Sequence, residues 1–179
     1  MLKITVPGAE MWNETTQEFV SVKTHELALE HSLVSLSKWE SKWCKPFITQ
    51  AKKTEEEILD YIRCMTITQN VDPNVYLCLT EDNIKAIMEY IQAPMTATTF
   101  VKRPTGGNGE LTTSEVIYGY MVALNIPFEC QKWHLNRLLT LIRVCGEQQA
   151  PKSKMPMKNV ASQNAALNAA RKAKMNTRG

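Results

Sequence analysis

Apolar residues recur along 127–145, PFECQKWHLNRLLTLIRVC, at three- and four-residue spacing. Phe128, Leu135, Leu138, Leu139, Ile142 and Cys145 share one helical face, and Trp133, Leu141 and Val144 widen it. A face that broad predicts a helix covered on several sides, the central strut of the fold. Pro127 suits its first turn, where a missing N–H costs nothing, and Gly146 suits a left-handed end.

The start of the chain has a different period. Leu2, Ile4 and Val6 alternate with polar residues, and so do Val20 and Val22, which predicts a β-hairpin; Leu27 and Leu29 supply a third strand. Helical spacing returns after Ser32, with Leu36, Trp39 and Trp43 on one face until Pro46. Thr54 and Glu57 form a capping box ahead of Ile58, Ile62 and Met65. Residues 70–79 read as a loop with a short apolar run. Thr80 opens a helix striped by Ile84, Ile87, Met88 and Ile91 and stopped by Pro94. Phe100 and Val101, in a Thr-rich stretch, predict an extended segment, followed by a glycine-rich turn at 105–110. A second capping box, Thr112 with Glu115, opens a helix whose buried side is Val116, Ile117, Tyr120, Met121 and Leu124. It should form a tight pair with the 127–145 helix.

Charge divides the chain. After Glu147 there is no acid, while Lys152, Lys154, Lys158, Arg171, Lys172, Lys174 and Arg178 are all basic. That leaves 14 basic and 18 acidic side chains in residues 1–147, within totals of 21 and 18. The reading is a mildly acidic globular domain, 1–147, β-rich over 1–31 and mainly helical over 32–147. It carries a basic, flexible or conditionally helical tail, 148–179. Within the tail, 161–175 has the Ala-rich makeup of a short helix that is marginal alone and orders on a partner. No stretch approaches the roughly 18 to 20 apolar residues of a membrane span, and the N-terminus lacks a secretory h-region, so cytosolic residence is expected. Five cysteines with no CxxC read as small buried hydrophobes in a reducing compartment.

Candidate chemistry is sparse. His25, His31 and His134 are scattered, and neither HExxH nor GxSxG occurs. Cys130 and His134, four apart, lack the two further ligands a metal site needs. The three acids Glu55, Glu56 and Glu57 read as a solvated helix start. No enzyme, metal or cofactor is expected. Trp39 and Trp43, one turn apart beside Lys38 and Lys42, allow two readings: a stacking or partner-binding ridge, or core residues with lysines reaching outward. Seven bases in a flexible tail would also give salt-dependent phosphate affinity, against which stand the acidic domain and a tail without interleaved aromatics.

The strings HSLVSLSKWESKWCKPF, YIRCMT, PMTATTF, IPFECQKWHLNRLLTLIRVC and ALNAARKAKMNTRG resemble blocks of the tail assembly chaperone family of long-tailed double-stranded DNA phages. The resemblance spans 2–179. It implies a non-enzymatic factor in the host cytoplasm that binds the tape measure protein, and with it the major tail tube protein. The factor keeps the client soluble, aids tube assembly, self-associates weakly and is absent from the finished virion. The alternatives are a small nucleic-acid-binding phage protein acting through its tail and a structural head-tail joining subunit. The candidate partner-binding residues are Trp39, Trp43, Lys38 and Lys42 on the ridge, and Arg171, Lys172, Lys174 and Arg178 in the tail. The expected fold is α+β and mostly helical, a small N-terminal hairpin or three-stranded sheet packed on four or five helices.

Overall fold

Alternation at the start of the chain folds as four short strands: β1 (Leu2–Val6), β2 (Ala9–Asn13), β3 (Glu18–Val22) and β4 (His25–Leu29). The computed structural model describes residues 1–13, 17–49, 52–100, 112–149, 165–168, 170, 171, 174 and 175. β1 pairs with β4 and β2 with β3, both antiparallel. Paired residue numbers sum to 31 in both ladders, from Leu2↔Leu29 to Asn13↔Glu18. One hairpin register therefore runs through both, broken where Pro7 and Gly8 oppose Lys23 and Thr24. Pro7 has no N–H to give a ladder. The Gly8 N–H goes to Thr24 Oγ1 at 3.2 Å. The break also turns the ribbon over: even-numbered Ile4 and Val6 are buried in β1, whereas odd-numbered Ala9 and Met11 are the shielded positions of β2. The expected pairing of the first strand with Val20 and Val22 is thus corrected. The short connection at 14–17 brings β2 and β3 together first, so Met11 and Ala9 take Val20 and Val22, and β1 takes β4.

Among the described residues up to 149, five α-helices follow: α1 (Leu33–Trp43), α2 (Glu55–Met65), α3 (Glu81–Gln92), α4 (Ser114–Ala123) and α5 (Leu135–Gln149). Short 3-10 helices lie at Pro73–Cys78 and Phe128–Lys132. The architecture is α+β and mostly helical. Ser32 with Ser35, Thr54 with Glu57, and Thr80 with Asn83 close reciprocal capping boxes on α1, α2 and α3. α1 ends at Cys44 in the left-handed region, φ 52, with its N–H on Glu40 O. α4 departs from expectation: its cap is Thr113, which makes no side-chain cap bond. The Ser114 N–H is taken by the buried Glu40 carboxylate of α1 at 2.7 Å, so a neighbouring helix satisfies the orphan donor.

The helix expected over 127–145 is two pieces. The Phe128–Lys132 3-10 helix stops at Trp133, and α5 starts only at Leu135. The cause is tertiary. Ser32 and His134 form a β-bridge, and the Leu135 N–H donates to His31 O at 2.7 Å, a bond that a continuous helix would have sent back four residues. α5 then runs through Gly146 to Gln149. Only Leu135 and Leu138 of α5 are buried, Ile142 and Leu141 are half-buried, and Phe128 is exposed. The same break separates α4 from α5, so the tight pair expected there is interrupted.

The central element is α1. Its Leu33 and Leu36 belong to one buried cluster with Ile117, Met121, Ile126, Cys130, Leu135 and Leu138, on α4, α5 and the turn between them. Its Trp39 belongs to the other, with Val6, Leu27 and Leu29 of the strands, Ile62 of α2 and Ile87 of α3. Residues 93–100 form no strand: the Thr98 N–H turns back to Thr96 Oγ1 at 3.1 Å, and Phe100 packs under the Arg143 guanidinium at 3.8 Å. The expected glycine turn lies outside the described residues. Of the five cysteines only Cys130 is buried; Cys44 is exposed and the others are half-buried. The chain divides into two units, Met1–Glu147 and Gln148–Gly179.

Candidate interaction surfaces

The paired tryptophans of α1 are not a surface ridge. Trp39 has no exposed area and donates Nε1–H to Glu57 O at 2.9 Å. Trp43 is half-buried and donates to Asp60 Oδ2 at 2.8 Å, while Lys42 pairs with Oδ1 of the same carboxylate. Asp60 is clamped between two donors. Burial raises its carboxyl pKa, and the bonds from Lys42 and Trp43 outweigh that, leaving it below the usual value. Lys45 holds the buried Glu57 at 2.6 Å in the same way. These residues fasten α1 to α2, and the complete burial of Trp39 corrects it as a partner-binding candidate, whereas Trp43 is half-buried and Lys42 exposed, each bonded to Asp60. Lys38 remains exposed. In the tail, Arg171 and Lys174 are exposed and helical, whereas Lys172 and Arg178 lie outside the described residues.

Buried polar chemistry gathers at the seam between the two clusters. His31 Nδ1 lies 2.6 Å from Tyr61 Oη. His134 Nε2 lies 2.9 Å from Tyr90 O, and its Nδ1 accepts the Asn136 N–H at 3.3 Å, so its proton sits on Nε2. Tyr90 Oη donates to Glu30 at 2.7 Å. Burial, then the neighbouring His134, lowers the His31 pKa to about 3, and burial lowers that of His134. These bonds engage His31 Nδ1 and both ring nitrogens of His134 in holding the seam. Cys130 and His134, which a continuous helix would have aligned, are separated by its break. No group of three or more potential metal ligands occurs among the described residues, and no described helix is long and apolar enough to cross a membrane.

Two surfaces missing from the sequence reading are open instead. The first is an apolar trough between α2 and α3. A cavity of about 280 Å³ lined by Phe47, Tyr61, Ile62 and Ile91 shares Ile58, Ile84 and Met88 with a second of about 330 Å³, lined by Leu59, Leu77 and Leu79. Leu77, on the 3-10 helix, is 57% exposed. The apolar stripes of both helices were legible at 3.6 spacing; that they face each other without closing depends on tertiary packing.

The second is the outer face of β2 and β3. Trp12 and Phe19 are cross-strand partners with ring centroids 5.0 Å apart at 65°, and they are 53% and 72% exposed. Glu10, on the same face, is exposed too; Glu18, paired with Asn13, is exposed from the opposite face. Period-two alternation of Glu10, Trp12, Phe19 and Ser21 against Ala9, Met11, Val20 and Val22 was the available signal. It is faint because large residues stand on both faces.

Compared with family models, curated proteins and solved structures, the chain matches none.

Proposed function

We propose that this protein is a phage tail assembly chaperone, acting in the host cytoplasm on the tape measure protein. The observation that carries the reading is the run of sequence blocks from HSLVSLSKWESKWCKPF to ALNAARKAKMNTRG that resemble that family. The fold offers a means. A tape measure is long and prone to aggregate, and the α2–α3 trough is an open apolar channel between two helices. Such a channel suits the apolar face of a client helix, read as anchors at helical spacing. The half-buried Ile58, Ile84 and Met88 form its floor, and methionine adapts to clients of varying shape. Trp39, completely buried, has no part in this.

The test is co-expression with the tape measure protein of the same genome, followed by pull-down and a solubility assay. Co-purification with rescue of tape measure solubility, lost when Met88→Glu is introduced into the trough, is expected. A tape measure that stays insoluble, alongside purified protein carrying nuclease-sensitive material released by high salt, overturns the reading in favour of nucleic-acid binding through the basic tail.

A further inference from the structure

The two walls of the trough are mounted on different supports. α2 packs chiefly on α1 and α3 chiefly on β1, and the backbones of α2 and α3 approach each other little. What joins the walls is the buried seam behind them. Tyr61, His31, His134 and Tyr90 stand in file, each ring edge to face with the next, with centroids 5.8, 5.1 and 4.9 Å apart. The first ring belongs to α2 and lines the trough; the last belongs to α3, beside Ile91, which lines it too. Both ends of the file are bonded. His31 Nδ1 meets Tyr61 Oη at 2.6 Å, and His134 Nε2–H donates to Tyr90 O at 2.9 Å. Asn136 donates its side-chain amide to Ile91 O at 3.0 Å and Ala93 O at 2.8 Å, so the end of α3 is held at several carbonyls from the segment entering α5.

We infer that this file of four rings is the strut that fixes the opening of the trough, which makes His31 and His134 positioning residues for the client helix. The inference rests on the trough as the client site. A buried, bonded pair of imidazoles by itself only stiffens a core. Here the distinction lies in where the bonds lead: one goes to each wall. Walls held at one distance present the apolar floor ready made, so the client does not bear the cost of arranging it. Removing either bond frees one wall. Part of the population then has the wrong opening, and apparent affinity falls by the fraction that remains competent.

The two imidazoles bond through different ring positions, which allows a test that general core damage does not imitate. Asparagine places an amide where Nδ1 stands and glutamine places one where Nε2 stands, each with donor and acceptor atoms. The full chain, with labelled isoleucine and methionine methyls, is read by methyl NOEs joining Ile58 and Ile62 of α2 to Ile84, Ile87 and Met88 of α3, and by recovery of co-expressed tape measure protein. His31→Leu and His134→Leu should each weaken those NOEs. Each should also lower tape measure recovery, at equal folded protein, by about fivefold, the factor one neutral hydrogen bond is worth. His31→Asn and His134→Gln should restore both readouts. If the leucine variants do not fold, Tyr61→Phe, which deletes only the hydroxyl, takes their place with the same expectation. Unchanged NOEs in the leucine variants, weakened NOEs with wild-type recovery, or conservative variants that restore nothing overturn the inference. A wild-type chain that recovers no tape measure overturns the client reading instead, and the NOEs alone then decide whether the file sets the spacing of the walls.

Discussion

The imidazoles of His31 and His134 meet edge to face, ring centroids 5.1 Å apart at 68°, with 4% and 6% of their surfaces exposed. They join the segment entering α1 to the segment entering α5, and Tyr61 of α2 and Tyr90 of α3 close around them. The charged groups nearby are the Glu30 carboxylate and the Met1 amine paired with it at 2.8 Å. Both rings are held neutral, because two imidazolium charges this close in a dry seam would repel each other and lack water.

Stability should therefore fall with acid well before the carboxylates titrate. The His31 pKa is lowered from 6.5 unfolded to about 3 folded. The unfolded chain thus binds the proton first, and the stabilisation, full above pH 6.5, drains away as pH falls toward 3. From pH 7.5 to pH 5 this amounts to about 2 kcal/mol for one such group, and His134 adds in the same direction. Urea midpoints measured at the two pH values should differ accordingly, and the difference should shrink in His31→Gln. Equal midpoints would show that the histidines are not buried as a neutral pair.

Trp39 and Trp43 should separate on substitution. Trp39→Ala removes the whole buried indole together with its bond to Glu57 O, a loss of about 3–5 kcal/mol. Trp43→Ala removes a half-buried ring and one of two donors on Asp60, with Lys42 still in place, so its cost is smaller, about 1–3 kcal/mol. Denaturant titrations followed by far-UV circular dichroism rank the two, and a reversed ranking refutes α1 as the element shared by both clusters.

The elements were legible where local signals agreed with tertiary packing. Ser32, Thr54 and Thr80 each had a bonding partner three residues on, and each begins a helix as read. The misreadings occur where a distant group overrides local pattern. The 127–145 periodicity is real, yet the bridge between Ser32 and His134 breaks it, and nothing in the local sequence announces a partner 102 residues away. The Thr112–Glu115 pattern lost to Glu40 of α1 for the same reason. Trp39 and Trp43 were ambiguous because burial depends on what packs opposite, here Glu57 and Asp60. Trp12 and Phe19 gave only a faint alternation because large residues stand on both faces of the ribbon, so their exposure depended on what packs beneath it.

The shift of the core from α5 to α1 makes two neighbouring substitutions unequal. Leu138 is completely buried between α1 and α4 residues, whereas Ile142, one turn on, only packs against that cluster from its edge. Leu138→Ala should cost about 2–5 kcal/mol, and Ile142→Ala less than half as much, since the partly exposed site leaves a smaller cavity. Equal losses in chemical denaturation would restore α5 to the centre of the fold.

Gly8 and Gly146 should respond to alanine with opposite signs. A Cβ at Gly8 would stand 2.7 Å from Val22 O and 3.1 Å from Thr24 N, both backbone atoms at the point where the ribbon turns over. Neither can move without disturbing the register shared by the two ladders, so Gly8→Ala should destabilise by about 1–3 kcal/mol. At Gly146 a Cβ would meet nothing within 4 Å, and the residue lies inside α5, three positions before its end. Alanine there restricts the unfolded chain and favours the helix, a gain of about 0.5–1 kcal/mol. Thermal melts of the two variants decide whether Gly146 continues the helix or ends it: if it were a left-handed cap, Gly146→Ala would lower the melting temperature instead of raising it.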